Sequence, residues 1–394
     1  MHSFDWIVVG NGLTGAALSY ELARAGFSVL LLEKSLTPQS ATRYSYGGVP
    51  FWSGSNDLVR QLCRESMARY ATIPEETGIS PEFRELDLVL TVELDQEPKA
   101  LASRYADVEI PPVPVSPQEA LELEPQLNSE AISGALTVRH GNVKPMALVK
   151  AYNHGLQNLG GKIIIAPVTG LVRIGDRVTG VTTPTQAYAA NNVAIAAGGI
   201  TRELLKTVGV KVPVYFTHAE LIETPPLDIT FRALVMPADL TRSAIEAEAT
   251  SDESEALWDE PGHEIRPALL DSGFVQFKDK TVRIGQISRI NTALEPQVEA
   301  QASEQKIRAG VSAIVPALMD VPGEWQACRV AFSRDGLPLA GPVPGTSGVC
   351  LFSGFTSPFT LVPAAAVHLA QWAQGYPSSI TTALLPERFW QKTI

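Results

Sequence analysis

The chain predicts an α/β fold: a discontinuous Rossmann-like domain with an inserted α+β domain built on a mainly antiparallel sheet. Three observations predict it. Ile7-Val8-Val9 reads as a buried strand that runs through Gly10-Asn11-Gly12-Leu13-Thr14-Gly15 into a helix. Similar α/β pieces return over about 145–210 and again at the end of the chain. The stretches between them are richer in strands. This interleaving puts one unit at 1–55, 141–210 and 325–394, and a second at 56–140 and 211–324.

The first element carries the clearest chemistry. In a G-x-G-x-x-G turn, Gly10 lets the chain leave the strand sharply. Gly12 lets a pyrophosphate approach the backbone, and Gly15 lets the helix pack close to the strand. The helix N-terminus that follows favours an anion. Helical spacing continues to Ala25, and Gly26 is a C-cap candidate. Phe27 to Glu33 is a strand apolar on both faces, as a covered parallel sheet requires. Glu33 falls 23 residues after Gly10, near the distance at which an acid meets a ribose hydroxyl. The plainer reading is a solvated charge at a strand end. Ser40 to Trp52, polar and then Gly47-Gly48, is placed as a second ligand-facing loop.

Asn56 to Glu75 has helical spacing, and Leu86 to Val92 reads as a strand. Ser116-Pro117-Gln118-Glu119 has the form of a capping box with proline at the first helical position. Met146 to Leu159 is a helix with one apolar face. A strand at 162–168, a hairpin around Gly175-Asp176 and a buried strand from Asn192 to Gly199 follow, with Thr201 as the cap of a helix at 202–208. Lys211 to Thr224 and Arg232 to Pro237 read as strands of a more polar sheet. Glu246 to Glu264 holds eight acidic residues and no Lys or Arg, which predicts a solvated insertion or mobile loop. Gly273 to Gln286 alternates as a hairpin, and 304–318 is a helix. Gly348 to Gly354 is a buried strand, Phe355 to Val362 a turn, and Pro363 opens a last helix.

The 394 residues carry 31 basic and 42 acidic side chains, a net charge of −11. Such a surface does not attract phosphate backbones, so no nucleic-acid partner is expected. Cys63, Cys328 and Cys350 have no metal or disulfide spacing, and no metal site is expected. Met1-His2-Ser3-Phe4-Asp5 lacks the positive region of a signal peptide. No run approaches the ~18 apolar residues of a membrane span. A cytoplasmic protein is expected, and membrane contact is not indicated.

The ordered set of motifs resembles the D-amino-acid oxidase-like, FAD-dependent oxidoreductases, in the layout of glycine oxidase and sarcosine oxidase. The set comprises the glycine turn with Glu33, Gly47-Gly48, and Gly141-Asn142-Val143 with Pro145. It continues with Val193 to Gly199 and with Trp325 through Asp335-Gly336-Leu337-Pro338 to Gly354. The resemblance implies that the Rossmann-like unit binds FAD and that the second unit binds substrate. Gly10, Gly12, Leu13, Thr14 and Gly15 would hold the pyrophosphate, Glu33 the ribose with Lys34 beside it, and Val168 the adenine. Ala197 and Gly198 would pass under the cofactor, with Gly47 and Gly48 as the second loop. Gly354, Ser357, Thr360 and Leu361 would approach the flavin pyrimidine edge, although this turn is shorter than the family's and lacks its second glycine.

By the same resemblance Arg329 pairs with a substrate carboxylate, gripping it through two hydrogen bonds so that Cα–H points at flavin N5. A structural arginine paired with an acid is the plainer reading. His218 and Tyr46 are further pocket candidates; a histidine so placed is more often structural, and Tyr46 is equally at home as packing. Phe274 falls where glycine oxidase carries a substrate-holding tyrosine. Cys328 is placed for a covalent flavin link or, more plainly, as a small buried thiol. The implied reaction is oxidation of the C–N bond of a small amino acid (a D-amino acid, glycine or an N-methyl amino acid) by hydride transfer to flavin N5. Oxygen or another acceptor would take the electrons. One alternative is a 2-hydroxy acid dehydrogenase, with His218 as the base. Another is a non-catalytic flavin-binding redox sensor.

Overall fold

The computed structural model describes residues 3–390. Two sheets organise them. The first has eight strands. Its main path runs Leu339–Pro342, Val349–Ser353, Ala187–Ile195, Ser3–Val9, Val29–Glu33, Lys162–Ile165, with the hairpin Gly170–Ile174 and Arg177–Thr182 paired to Ala187–Ile195. The central pairings are parallel. Trp6 and Val8 point into one core, while Ile7 and Val9 point into another on the opposite face. That two-sided burial is why the strand reads as an unbroken apolar run.

Helices Leu13–Arg24, Asp57–Thr77, Pro145–Asn158 and Pro358–Ala373 pack together on the first of these faces. The helix at 57–77 therefore belongs with the nucleotide-binding layer, not with the second unit as expected. Its Leu62, Tyr70 and Ile73 are buried in that layer's core.

The second sheet has nine strands, in the order Glu324–Ser333, Val214–Glu223, Val282–Asn291, Glu264–Gln276, Leu234–Pro237, Arg84–Val92, Gly134–Asn142, Gly48–Val49, with Val113–Val115 paired to Gly134–Asn142. Only Leu234–Pro237 and Arg84–Val92 pair in parallel. Helix Ala300–Ile314 covers one face, packing Ile307 and Val311 on Ile222, Ile284 and Ile287. Glu324–Ser333 was expected in the nucleotide-binding unit. It is instead the edge strand of this sheet, paired along its whole length with Val214–Glu223.

Three local expectations change. The acidic stretch is folded and not a loop, while Glu248, Asp252, Glu253, Glu260 and Glu264 are exposed, as a solvated insertion requires. It folds as helices Thr241–Glu248 and Asp252–Glu255 with a tight turn at Ala256–Asp259. Its missing cations come from elsewhere in the chain: Arg202 meets Glu255 at 2.8 Å and Asp259 at 3.1 Å, and Arg334 meets Asp252 and Glu255 at 2.9 Å. Burial of Trp258, whose Nε1 donates to Ala249 O at 2.9 Å, contributes more than any one of the exposed pairs. Thr201 does not cap its helix; its hydroxyl pairs with Ser353 Oγ at 3.1 Å. Finally, Pro363 lies inside helix Pro358–Ala373 instead of opening it. Proline offers no N–H to the carbonyl four residues back, and Tyr70 Oη donates to that carbonyl, Phe359 O, at 2.7 Å. The capping box at Ser116 and Glu119 forms as expected.

Candidate active site

The glycine turn is dictated by close backbone approach. Gly10 has φ +102°, and a Cβ there would lie 2.6 Å from Ala196 O. A Cβ on Gly15 would lie 1.7 Å from Gly10 O, so the helix can rest on the turn only as glycine. Gly12 is the N-cap and supplies no side-chain bond. Leu13 N–H donates to Thr42 Oγ1 at 3.0 Å. Glu33 closes the far side: its carboxylate accepts Asn11 N–H at 2.7 Å and Ser35 N–H at 3.2 Å, which orients it.

A cavity of about 560 Å³ runs from here across to the second sheet. Glu33, Lys34 and Val168 line one end, Gly10, Gly12, Thr14 and Thr42 the middle, and Ala197 and Gly198 the passage beyond. His218, Glu220, Cys328 and Arg329 line the other end. An oriented carboxylate, a cradle closed to any Cβ and a helix N-terminus in sequence along one groove fit the ribose and pyrophosphate of FAD. Leu13 and Gly15 lie behind this wall and act through the backbone.

The remaining expected cofactor residues lie off the cavity. Gly47 has φ +66°, and a Cβ would meet Val143 O at 2.1 Å; Val143 N–H also donates to Gly47 O at 2.9 Å. A Cβ on Gly48 would meet His140 Nε2 at 2.8 Å. Both glycines are thus explained by packing on the strand Gly134–Asn142 and its exit. Gly354, Ser357, Thr360 and Leu361 are outside the lining as well. Leu361 sits in the helical core, and Thr360 keeps a buried hydroxyl oxygen with no partner.

The substrate candidates separate. Antiparallel pairing sets His218 opposite both Arg329 and Arg289, so these share one face of the second sheet. Arg329 donates Nη1 to Leu294 O, and its Cβ packs over Gly199. Burial lowers the His218 pKa, with Arg329 pushing the same way. Its Nε2 is held 2.9 Å from Ala293 O, so the neutral ring donates there. Tyr46 is not on the cavity: its hydroxyl donates to Gly273 O at 3.1 Å, and burial pushes its pKa far up. Phe274 is buried against Phe231, ring centroids 4.7 Å apart, in the core under Ala300–Ile314.

Two groups escaped the sequence reading. Thr42, whose hydroxyl takes the Leu13 N–H, sits in the polar run at 40–45 that already marked a ligand-facing loop. The other is on the opposite sheet face. Cys328 pairs with Ala219, Gln326 with Leu221 and Arg283 with Glu223, so these lie on one side. Tyr44 packs there on Ala219, Leu221 and Cys328, and its hydroxyl donates to Gln326 at 2.8 Å. Arg283 is 4% exposed, and its Nε and Nη1 are buried without partners. No local sequence pattern distinguishes it from an ordinary strand arginine.

Comparison with known proteins follows from this geometry. The DAO model, FAD dependent oxidoreductase, matches residues 5–372. Glycine oxidase of Pseudomonas aeruginosa is 28% identical over 383 residues, covering 94% of each chain. Human mitochondrial dimethylglycine dehydrogenase is 24% identical over 407 residues, covering 99% of this chain and 45% of that protein. Among solved structures, glycine oxidase from Geobacillus kaustophilus superimposes with a TM-score of 0.77 at 20% identity, covering 96% of each chain. L-proline dehydrogenase from P. horikoshii gives 0.76 at 18% identity, covering 99% of this chain and 98% of that one.

Proposed function

The chain belongs to the DAO family of FAD-dependent oxidoreductases, and from that premise we propose that it oxidises the C–N bond of a small amino acid or N-alkyl amino acid. The observation that carries this reading is the single cavity joining the glycine turn and Glu33 to the arginine-bearing edge of the second sheet. The named relatives support it. Glycine and dimethylglycine, in the names of two of them, are both amines on a carboxylic acid.

FAD, when bound, supplies the hydride acceptor. The protein's part is to bind and orient. A guanidinium on the second sheet receives the carboxylate, which fixes the Cα–H bond direction. Leu294, Pro296 and Trp325 give the cavity an apolar wall. The amine must arrive neutral, so that its lone pair can form the C=N bond as hydride leaves carbon and a proton leaves nitrogen. Water then hydrolyses the imine. No protein base is required for these steps.

That requirement also separates the two enzyme readings. A 2-hydroxy acid needs a base for its hydroxyl proton. His218 donates its Nε2–H to Ala293 O, and burial lowers its affinity for a proton, which makes it a weak base for that step and favours the amine. Oxygen or another carrier takes the electrons in this reading. No helix among the described residues is long and apolar enough to cross a membrane.

Anaerobic mixing of the FAD-loaded protein with amino acids, N-methyl amino acids and 2-hydroxy acids tests the proposal. Amino acids are expected to bleach the flavin band. Bleaching by hydroxy acids alone would replace the substrate class, and bleaching by none would leave a redox sensor.

A further inference from the structure

We propose that residues 293–298 form a strap across the FAD cavity, latched shut by His218 and Arg329, and that unlatching it sets how fast FAD enters and leaves. The premise is FAD binding, not the substrate class.

The strap joins strand Val282–Asn291 to helix Ala300–Ile314. Leu294, Pro296 and Val298 line the cavity and are partly buried, while Glu295, Gln297 and Glu299 are exposed. That alternation belongs to an extended chain with one face on the cavity and the other on solvent. Gly10, Gly12, Gly198 and Ile200 of the first unit line the same space. The strap is thus a part of one unit that closes a groove formed with the other.

Backbone pairing does not hold it there. Among the described residues, no N–H of 294–298 meets a backbone acceptor. Ala293 N–H donates locally, to Asn291 Oδ1 at 2.8 Å. The bonds to the body of the protein come from two side chains and end on two successive carbonyls. His218 Nε2 donates to Ala293 O at 2.9 Å, and Arg329 Nη1 donates to Leu294 O. His218 and Arg329 stand opposite each other on adjacent strands, so both latches act at one point. Leu294 adds an apolar stop against the cluster of Phe216, Trp258 and Phe332. The Glu295 carboxylate offsets part of the cost of burying the Arg329 cation.

The ends of the strap are firm. Thr292 N–H donates to His263 O at 3.0 Å, and its hydroxyl donates to Glu260 O at 2.6 Å. At the other end Ser303 N–H donates to Glu299 O at 3.0 Å in the first turn of the helix. A short segment with fixed ends and two bonds at one point opens when those bonds break. The latch is built from protein atoms alone, so it opposes entry and release to the same degree. Weakening it raises both rates and leaves affinity nearly constant, because a shift between states that a ligand does not distinguish leaves its binding unchanged. A residue that gripped FAD directly would change release and affinity together.

The test dilutes the full-length, FAD-loaded protein stepwise and follows free FAD by its fluorescence. The time course gives the release rate and the plateau gives Kd. Arg329→Met removes one latch and should raise release about tenfold, the scale of one charge-assisted hydrogen bond, with Kd changed less than about threefold. His218→Leu removes the other and should raise release about fivefold, again at steady Kd. His218→Gln keeps an N–H donor and should release FAD within about twofold of the wild type. Pro296→Gly loosens the strap away from the sheet and should raise release about threefold; it carries the test should the latch variants fail to fold. The inference is overturned if the latch variants or Pro296→Gly release FAD like the wild type. It is also overturned if Kd rises in step with the release rate, which would make the two side chains direct cofactor contacts. Release from His218→Gln as fast as from His218→Leu would assign the effect to packing and overturn the latch.

Discussion

In the first sheet the ligand-facing positions are made of backbone; in the second they are made of side chains. Gly10 and Gly15 leave no room for a Cβ, and Glu33 has two backbone N–H groups on its carboxylate. The Glu33 carboxylate is thus held in place before any ligand arrives. Arg283 in the second sheet is equally buried, yet keeps Nε and Nη1 unmatched. The comparison teaches where each kind of specificity lives. The cofactor is recognised by a shape the chain cannot fold without. The second sheet meets the cavity with side chains instead, so the two regions should respond differently to mutation.

The largest effect is expected in the first sheet. Gly15→Val puts a branched side chain where a Cβ alone would lie 1.7 Å from Gly10 O. Helix and strand must separate, at a cost of about 3 kcal/mol or more. Both FAD retention and the urea midpoint should fall together. A variant that loses FAD at unchanged stability would mean that the turn is a ligand contact only, and that the contrast between the sheets is overstated.

The second sheet should yield a stabilising substitution, because it buries an ionisable carboxyl. Asp271, 8% exposed, has its carboxyl pushed up to about 6 by burial, with Arg242 pulling the other way. The unfolded carboxyl titrates near its ordinary value. As pH rises from about 4 the unfolded state ionises first, so stability falls through the folded pKa and the deficit is complete above it. A shift of this size corresponds to about 2–3 kcal/mol. Asp271→Asn should therefore raise the melting temperature at pH 7.5 and leave it nearly unchanged at pH 4. An equal gain at both values would assign the effect to packing.

Legibility in the sequence follows the same division. The strand, turn and helix at 3–24 and the acid at 33 could be read because backbone constraints leave glycine at fixed spacing. The second sheet's strands were legible as alternation, but their faces were not. One bulge between Glu220 and Leu221 in the pairing with Val282–Asn291 shifts the register. It helps decide that Arg283 falls with Tyr44 and Gln326, while Arg329 falls with His218. The family resemblance places Arg329 at the substrate carboxylate, and the sequence is silent about the face. The acidic stretch misled for a related reason: its counter-charges, Arg202, Lys211 and Arg334, are distant in sequence and adjacent only in the fold.

The smallest effect concerns the helical layer, where a partner is supplied across elements. Pro363 withholds an N–H from Phe359 O, and Tyr70 Oη fills the gap at 2.7 Å, fully buried. Tyr70→Phe leaves that carbonyl unmatched at nearly constant volume and should cost about 1–2 kcal/mol in urea unfolding. Pro363→Ala restores the helical donor. In that background the carbonyl has a second source of hydrogen bonding, so Tyr70→Phe should cost about 1 kcal/mol less, a coupling that a double-mutant cycle resolves. An identical cost in both backgrounds would mean that the hydroxyl acts through another contact. Polar satisfaction in this layer would then be less complete than in the glycine turn, and the contrast with the second sheet would narrow.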